Sequence, residues 1–213
     1  MSANPYRPPY SFAEVLHRLG DVPADRVRFK PMPGTAVLND LLEPENSRCE
    51  LVDGTLVEKT VGVEESMLAM SLGIEIGMFV RAGNLGVVTG EQGFYQLPDG
   101  PVRGPDITFV SWERMPGRRR DQEPIPTRSP DLVVEILSVS NARREMARKR
   151  VEYFAAGVTL VWEIDPRARW VRVYTAPETF TELTAADTLA GDPVLPGFML
   201  ELADLFAELD RHG

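Results

Sequence analysis

The sequence predicts a mixed α/β fold, a central sheet flanked by helices on both faces, and three observations carry that expectation. In CELVDGTLVEKT the dipeptide Asp53-Gly54 sits between two strand-like runs, and Asp-Gly favours the tight turn that joins twisted antiparallel strands. The runs LVVEIL and LVWEID are nearly continuous in apolar residues and are separated by a helical stretch over 141–156. A crossover of that length makes the two strands parallel neighbours. Glu64 to Val80 has helical periodicity, so antiparallel and parallel pairing must share a sheet that helices cover.

Taken in order, residues 1–10 are rich in proline and polar groups and are expected to be loosely ordered. Ser11 can cap a short helix through Leu19. The stretch VPADRVRFKPMPG, with three prolines, reads as a connector, and 35–43 as another short helix. After the hairpin comes the helix Glu64 to Val80, whose stripe of Met67, Met70, Ile74 and Met78 is expected to pack in the core. LGVVTG, GFYQL and PDITFV follow as short strands. Arg114 to Pro130, with four prolines and the run Arg118-Arg119-Arg120, reads as an exposed loop. The helix over 141–156 ends at Gly157, Asp165-Pro166 turns LVWEID into RWVRVYT, and the tail closes with a short amphipathic helix.

The chain's 213 residues suit one domain with elaborated ends, here an extension over 1–47 and a main domain over 48–213. Cys49 is the single cysteine, which fits a reducing compartment and excludes thiolate metal clusters. His17 and His212, the only histidines, lie near the chain ends, which argues against histidine-based nucleophilic catalysis or a zinc site. No signal peptide is visible, and the longest apolar segment, SMLAMSLGIEIGMFV, is interrupted by Glu75, so no membrane span and a cytoplasmic location are expected. A net charge of −9 means that contact with nucleic acid needs a local basic patch.

Three residues break their local pattern. Glu135 stands inside the apolar run Leu132–Leu137, where a carboxylate is costly unless paired or bound to a metal. Asp106 stands at the mouth of the strand Ile107–Val110, after a proline that keeps the chain extended. Lys149 shares a helix face with Ala142, Met146, Tyr153 and Ala156, with Arg144, Arg148 and Glu152 placed opposite, so its ammonium is expected to point toward the sheet. A snorkelling lysine and a solvent-facing Glu135 are the plainer alternatives. Two carboxylates and an inward lysine suit magnesium, which often takes only one or two protein carboxylates. Hydrolysis of a phosphodiester is the chemistry that set serves best.

GPDITFV, PDLVVEILSVSN and RKRVEYFAAGVTLVWEIDP, with the opening hairpin CELVDGTLVEKT, resemble the signature blocks of the Uma-two family of restriction-endonuclease-like proteins, from about residue 48 to the final helix. The resemblance implies the PD-(D/E)XK phosphodiesterase superfamily, an αβββαβ core and an acidic site for Mg2+, with Mn2+ as a substitute. It matches Asp106 to the motif aspartate and Glu135 to the acid of the next strand. The usual lysine position, two residues on, holds Leu137 here, and Lys149 looks like its migrated replacement. A further acid is often present in such proteins; Glu64 or Glu65 would supply it, with Glu50 another candidate. Arg118, Arg119, Arg120, Arg143 and Arg144 would then steer a phosphate backbone, or are simply solvated. DNA is the implied partner, and the resemblance allows a homodimer.

The leading expectation is therefore a magnesium-dependent DNA endonuclease using Asp106, Glu135 and Lys149. The alternative is a non-catalytic nucleic-acid-binding or assembly protein that keeps the fold, favoured by the acidic net charge and by Leu137. A carboxylate-pair glycosidase ranks third, since Trp112, Trp162 and Trp170 lie in or beside strands and are expected to pack. Glu163 could support the site from outside, but an edge or solvent-facing position is the preferred expectation.

Overall fold

The computed structural model describes residues 11–60, 62–98, 100–119 and 123–211; the segment 1–10, Arg120 and His212 lie outside them. The chain opens with α1 (Phe12–Arg18), where the Ser11 hydroxyl accepts the Glu14 N–H and the Glu14 carboxylate accepts the Ser11 N–H in return. α2 (Leu38–Leu41) leads to the hairpin of β1 (Cys49–Val52) and β2 (Thr55–Glu58). Asp53 (φ 48°) and Gly54 (φ 68°) both take the left-handed region that this two-residue turn needs. The long helix α3 (Val63–Ala82) follows, then β3 (Gly86–Thr89), β4 (Tyr95–Gln96), β5 (Val102–Arg103), β6 (Ile107–Ser111) and β7 (Leu132–Ile136). α4 (Arg143–Ala155) crosses over to β8 (Leu160–Asp165), and β9 (Trp170–Ala176), β10 (Thr179–Thr184), β11 (Thr188–Ala190), β12 (Met199–Glu201) and α5 (Leu202–Ala207) complete the chain.

The central sheet has the order β10-β9-β8-β7-β6-β3, with β7 and β8 parallel and the other pairs antiparallel. The expected αβββαβ order is present as α3, β3, β6, β7, α4 and β8. β1 and β2 do not join this sheet; they pair with β5 and β4 in a smaller one ordered β2-β1-β5-β4.

The period-2 alternation of the strands sorts the side chains. Leu132, Val134 and Ile136 of β7, with Ile107, Phe109, Leu160, Trp162 and Ile164, pack against Leu68, Leu72, Ile76 and Val80 of α3 and against α5. Val133 and Val161 face the other way, toward Tyr153 of α4. Glu135 shares the parity of Val133, so it faces α4 rather than α3.

One expectation about α3 is reversed. Met67, Met70, Ile74 and Met78 are exposed, at 43–66%, while Leu68, Leu72, Ile76 and Val80 form the inner stripe. Both stripes repeat at helical spacing on opposite faces, so periodicity alone did not choose between them. Glu163 is a second correction. It is buried and ion-paired to Arg150 at 2.6 Å, because β8 is an interior strand that α4 covers. Of the tryptophans, Trp162 is fully buried, whereas Trp112 and Trp170 are half-buried.

Candidate active site

The sheet register builds the site. Ile107 pairs with Val134 in the antiparallel β6–β7 ladder, and the Asp106 N–H donates to the Val134 carbonyl at 3.1 Å. Continued by one residue, that register sets Asp106 opposite Glu135, on the face that α4 covers. Glu135 in turn pairs with Glu163 across the parallel ladder, Glu163 with Arg172, and Arg172 with Glu182. A row of charged residues thus crosses five strands at one level, with three carboxylates side by side. Like charges directly opposite repel, so each carboxylate draws a cation from outside the sheet: Lys59 for Asp106, Lys149 for Glu135 and Arg150 for Glu163.

α4 brings Lys149 and Tyr153, one turn apart, down onto Glu135. The Lys149 ammonium lies 3.1 Å from both Glu135 Oε1 and Glu50 Oε1, and the Tyr153 hydroxyl also donates to Glu135 Oε1. Glu50 arrives from β1 in the smaller sheet. Cys49 and Leu56 pack away from the site with Val102, which leaves Glu50 on the opposite face, where Arg103 of β5 meets its Oε2 at 2.7 Å. Glu152 reaches Arg103 at 2.6 Å, so it flanks the cluster rather than lying on the side of α4 opposite Lys149.

Asp106 closes the cluster on the solvent side. Its Oδ2 accepts the Ile136 N–H at 2.7 Å, and its Oδ1 accepts from Lys59 at 3.0 Å; Lys59 also donates to the Gly104 carbonyl. Neither Lys59 nor Arg103 was singled out in the sequence. Strand parity was the available signal for Lys59, because it shares the side of β2 that Val57 takes, opposite Leu56. Arg103 lies only three residues before Asp106 but reads as an ordinary strand-end cation.

Burial and charge act against each other here. Burial raises the Glu135 pKa, the neighbouring Asp106 and Glu50 charges push the same way, and Lys149 opposes them without prevailing. For Glu50, burial is outweighed by Lys149 and Arg103, which hold it well below the usual carboxylate range. Lys149 is held charged, since Glu135 and Glu50 overcome its burial. Burial, with the Glu135 charge, drives the Tyr153 pKa well up, so it remains a neutral donor. Glu50, Asp106 and Glu135, with Glu152 at the flank, face Lys59, Lys149 and Arg103, so each of these cations has a carboxylate partner.

The donor set fits a hard divalent cation. Asp106 and Glu135 present carboxylate oxygens from adjacent strands, and both hydrogen bonds to Glu135 end on Oε1. Among the described residues no cluster of three or more His, Cys, Asp or Glu is arranged to hold a metal, so water and substrate oxygens would supply the remaining ligands. Lys59 would have to leave Asp106 Oδ1. The route in is on that side: the side chains of Asp106 and Lys59 are 17% and 9% exposed, against 6% or less for Glu135, Glu50 and Lys149. Asp106 also lines a groove of about 520 Å3 between α3 and β3, and Lys59 a pocket of about 200 Å3 with Arg48 and Phe94.

Of the other sequence candidates, Glu64 and Glu65 lie in the first turn of α3 and, among the described residues, make no side-chain bond to the cluster, whereas Glu50 joins it. Arg118 and Arg119 are exposed. Arg144 is engaged with Asp21 and His17 beside α1. Arg143 lines a cleft of about 520 Å3 on the far flank of α4, together with Arg150, Arg167 and Arg172 and the acids Glu163 and Asp165. In that cleft the Arg172 guanidinium lies 4.2 Å from the Trp170 ring centre. The hydroxyls of Thr60, Ser138 and Ser140 are hydrogen-bonded together and connect the neighbourhood of Lys59 to this cleft.

Comparison with known proteins bears on the family and the fold. The model of the Uma2 (Uma-two) family, described as "Putative restriction endonuclease", matches residues 36–203. This chain belongs to the Uma2 family. The fold is shared with a crystal structure described as "a putative nuclease belonging to DUF820" from Anabaena variabilis ATCC 29413, at TM-score 0.70 and 21% identity, covering 80% of this chain and 96% of that one. Comparison with curated proteins returned no match. Among the described residues no helix of this Uma2 protein is long and apolar enough to cross a membrane.

Proposed function

We propose that this Uma2 protein is a magnesium-dependent endonuclease, with manganese able to substitute, that hydrolyses phosphodiester bonds in DNA in the cytoplasm. The supporting observation is the cross-strand placement of Asp106 and Glu135 beneath a helix that delivers a buried lysine. These two carboxylates would hold the cation. When bound, it would activate a water and offset charge on the phosphate.

The protein's own groups divide the remaining work. Tyr153 and Lys149 fix Glu135 through Oε1, and Glu50, itself paired to Arg103, holds Lys149 in turn. Lys149 is sealed in, so its role is to position Glu135 and to offset the carboxylate charge around it. Lys59, at the rim, is better placed to meet the developing charge on a phosphate once it releases Asp106. The arginine-lined cleft, with arginines in excess over carboxylates, would receive the backbone beyond the cleaved bond.

The test is nicking of supercoiled plasmid with magnesium or manganese by the wild type, Asp106→Asn and Glu135→Gln. Cleavage that falls by roughly a hundredfold or more in both variants is expected. Equal cleavage by all three proteins would overturn the assignment.

One observation favours a binding protein that has kept the fold instead. Lys59 sits on the oxygen that a cation would need. Calorimetric titration with manganese separates the two readings: heat that disappears in Asp106→Asn supports the nuclease, and no carboxylate-dependent heat supports the binding protein.

A further inference from the structure

α3 is apolar on two opposite faces. The inner one, Leu68, Leu72, Ile76 and Val80, is at most 3% exposed and fills the core. The outer one carries Val63 (77% exposed), Met67 (43%), Met70 (66%), Ile74 (50%) and Met78 (55%). An amphipathic surface helix would put polar groups there, and a continuous stripe of large apolar side chains marks a contact surface. A Cβ placed on Gly77, beside the stripe, would meet nothing within 4 Å, so the helix surface is notched at that point. The helix ends carry opposite charges: Glu64 in the first turn and Arg81 in the last. Among the described residues neither forms an ion pair or side-chain hydrogen bond within the chain.

We propose that this face is a self-association surface on which a second copy of the chain packs its own α3 antiparallel, about a two-fold axis near Leu72–Gly73. The stripe is self-complementary in that arrangement, and its Met70, Ile74 and Met78 edge the groove that Asp106 reaches. It sets Met70 beside the partner's Ile74, Met67 over the notch at the partner's Gly77, and Glu64 beside the partner's Arg81, each contact occurring twice, as a two-fold interface requires. The antiparallel helix dipoles are also favourable. Methionine suits the seam because its flexible thioether adapts to the facing surface. A lipid surface fits less well, because the flank of the stripe is acidic, with Glu64 and Glu75, and the whole chain carries −9.

Sedimentation of the purified full chain over a wide concentration range tests this, with helical content checked by circular dichroism. The wild type is expected to sediment as a dimer. Ile74→Glu, at an exposed position that leaves the core untouched, is expected to weaken the dimer by roughly a hundredfold. Arg81→Glu should weaken it several-fold, and adding Glu64→Arg to Arg81→Glu should restore it. A wild type that is monomeric at every concentration overturns the proposal, as does a dimer indifferent to Ile74→Glu. Failure of the charge swap to restore association overturns the antiparallel pairing.

Discussion

α4 carries two buried ionic groups one turn apart, and they differ in kind. Glu145 meets Arg26 through two parallel bonds of 2.8 Å, with both side chains at 5% exposure or less. It ties the helix to the short turn Ala24–Arg26 before the hairpin. Lys149 instead serves two carboxylates at once, one of them raised in pKa, and its cluster opens to solvent through Asp106 and Lys59. One-to-one pairing without an opening serves structure. Shared partners beside an opening are what the proposed cation site rests on. Burial of charge does not by itself separate the two arrangements; the sharing of partners does.

The largest effect should come from the structural pair. Glu145→Ala leaves Arg26 buried and unmatched, and a loss of about 3–5 kcal/mol is expected in urea denaturation. Manganese affinity of the protein that remains folded should be unchanged, and a coupled loss of cation binding would erase the distinction. Asp106→Asn should do the reverse: cleavage falling by about a hundredfold, equivalent to about 2.7 kcal/mol, with a smaller cost in stability. Lys59→Met removes the competitor for Asp106 Oδ1, so cation affinity should rise by about tenfold while cleavage falls, as measured by calorimetry and by nicking.

The pH dependence sharpens the contrast further. With the Glu135 pKa raised by burial, a proton competes with the cation at higher pH than for an ordinary carboxylate. Affinity for manganese should therefore weaken as pH falls toward that raised value, with proton uptake into buffer detectable on binding at the lower pH values. Affinity that is flat down to the ordinary carboxylate range would contradict it. The smallest effect is expected at Arg143→Ala, which should reduce the salt slope of DNA binding by about one while leaving cation affinity alone.

Much of the fold was legible in the sequence. Asp53-Gly54 and the two apolar runs announced the hairpin and the parallel pair, because turn chemistry and strand burial are local signals. Asp106, Glu135 and Lys149 stood out as violations of their surroundings. Less local features stayed hidden. The outer and inner stripes of α3 both have helical spacing, so only the sheet it packs on could choose between them. β4 and β5 are two residues each, too short to declare a second sheet. Lys59 and Arg103 look like ordinary cations until folding sets them against carboxylates distant in sequence. Glu163 is buried because β8 is an interior strand and α4 covers its face.

The row of charges across the sheet also bears on how the chain finds its alignment. Sliding β7 by one residue against β6 would turn Glu135 toward Leu72 and Ile76, where no cation waits, at a cost of several kcal/mol. A mispaired register is thereby disfavoured. The acidic row then acts as a proofreading mark for strand assembly, and a chain stripped of it should fold less faithfully.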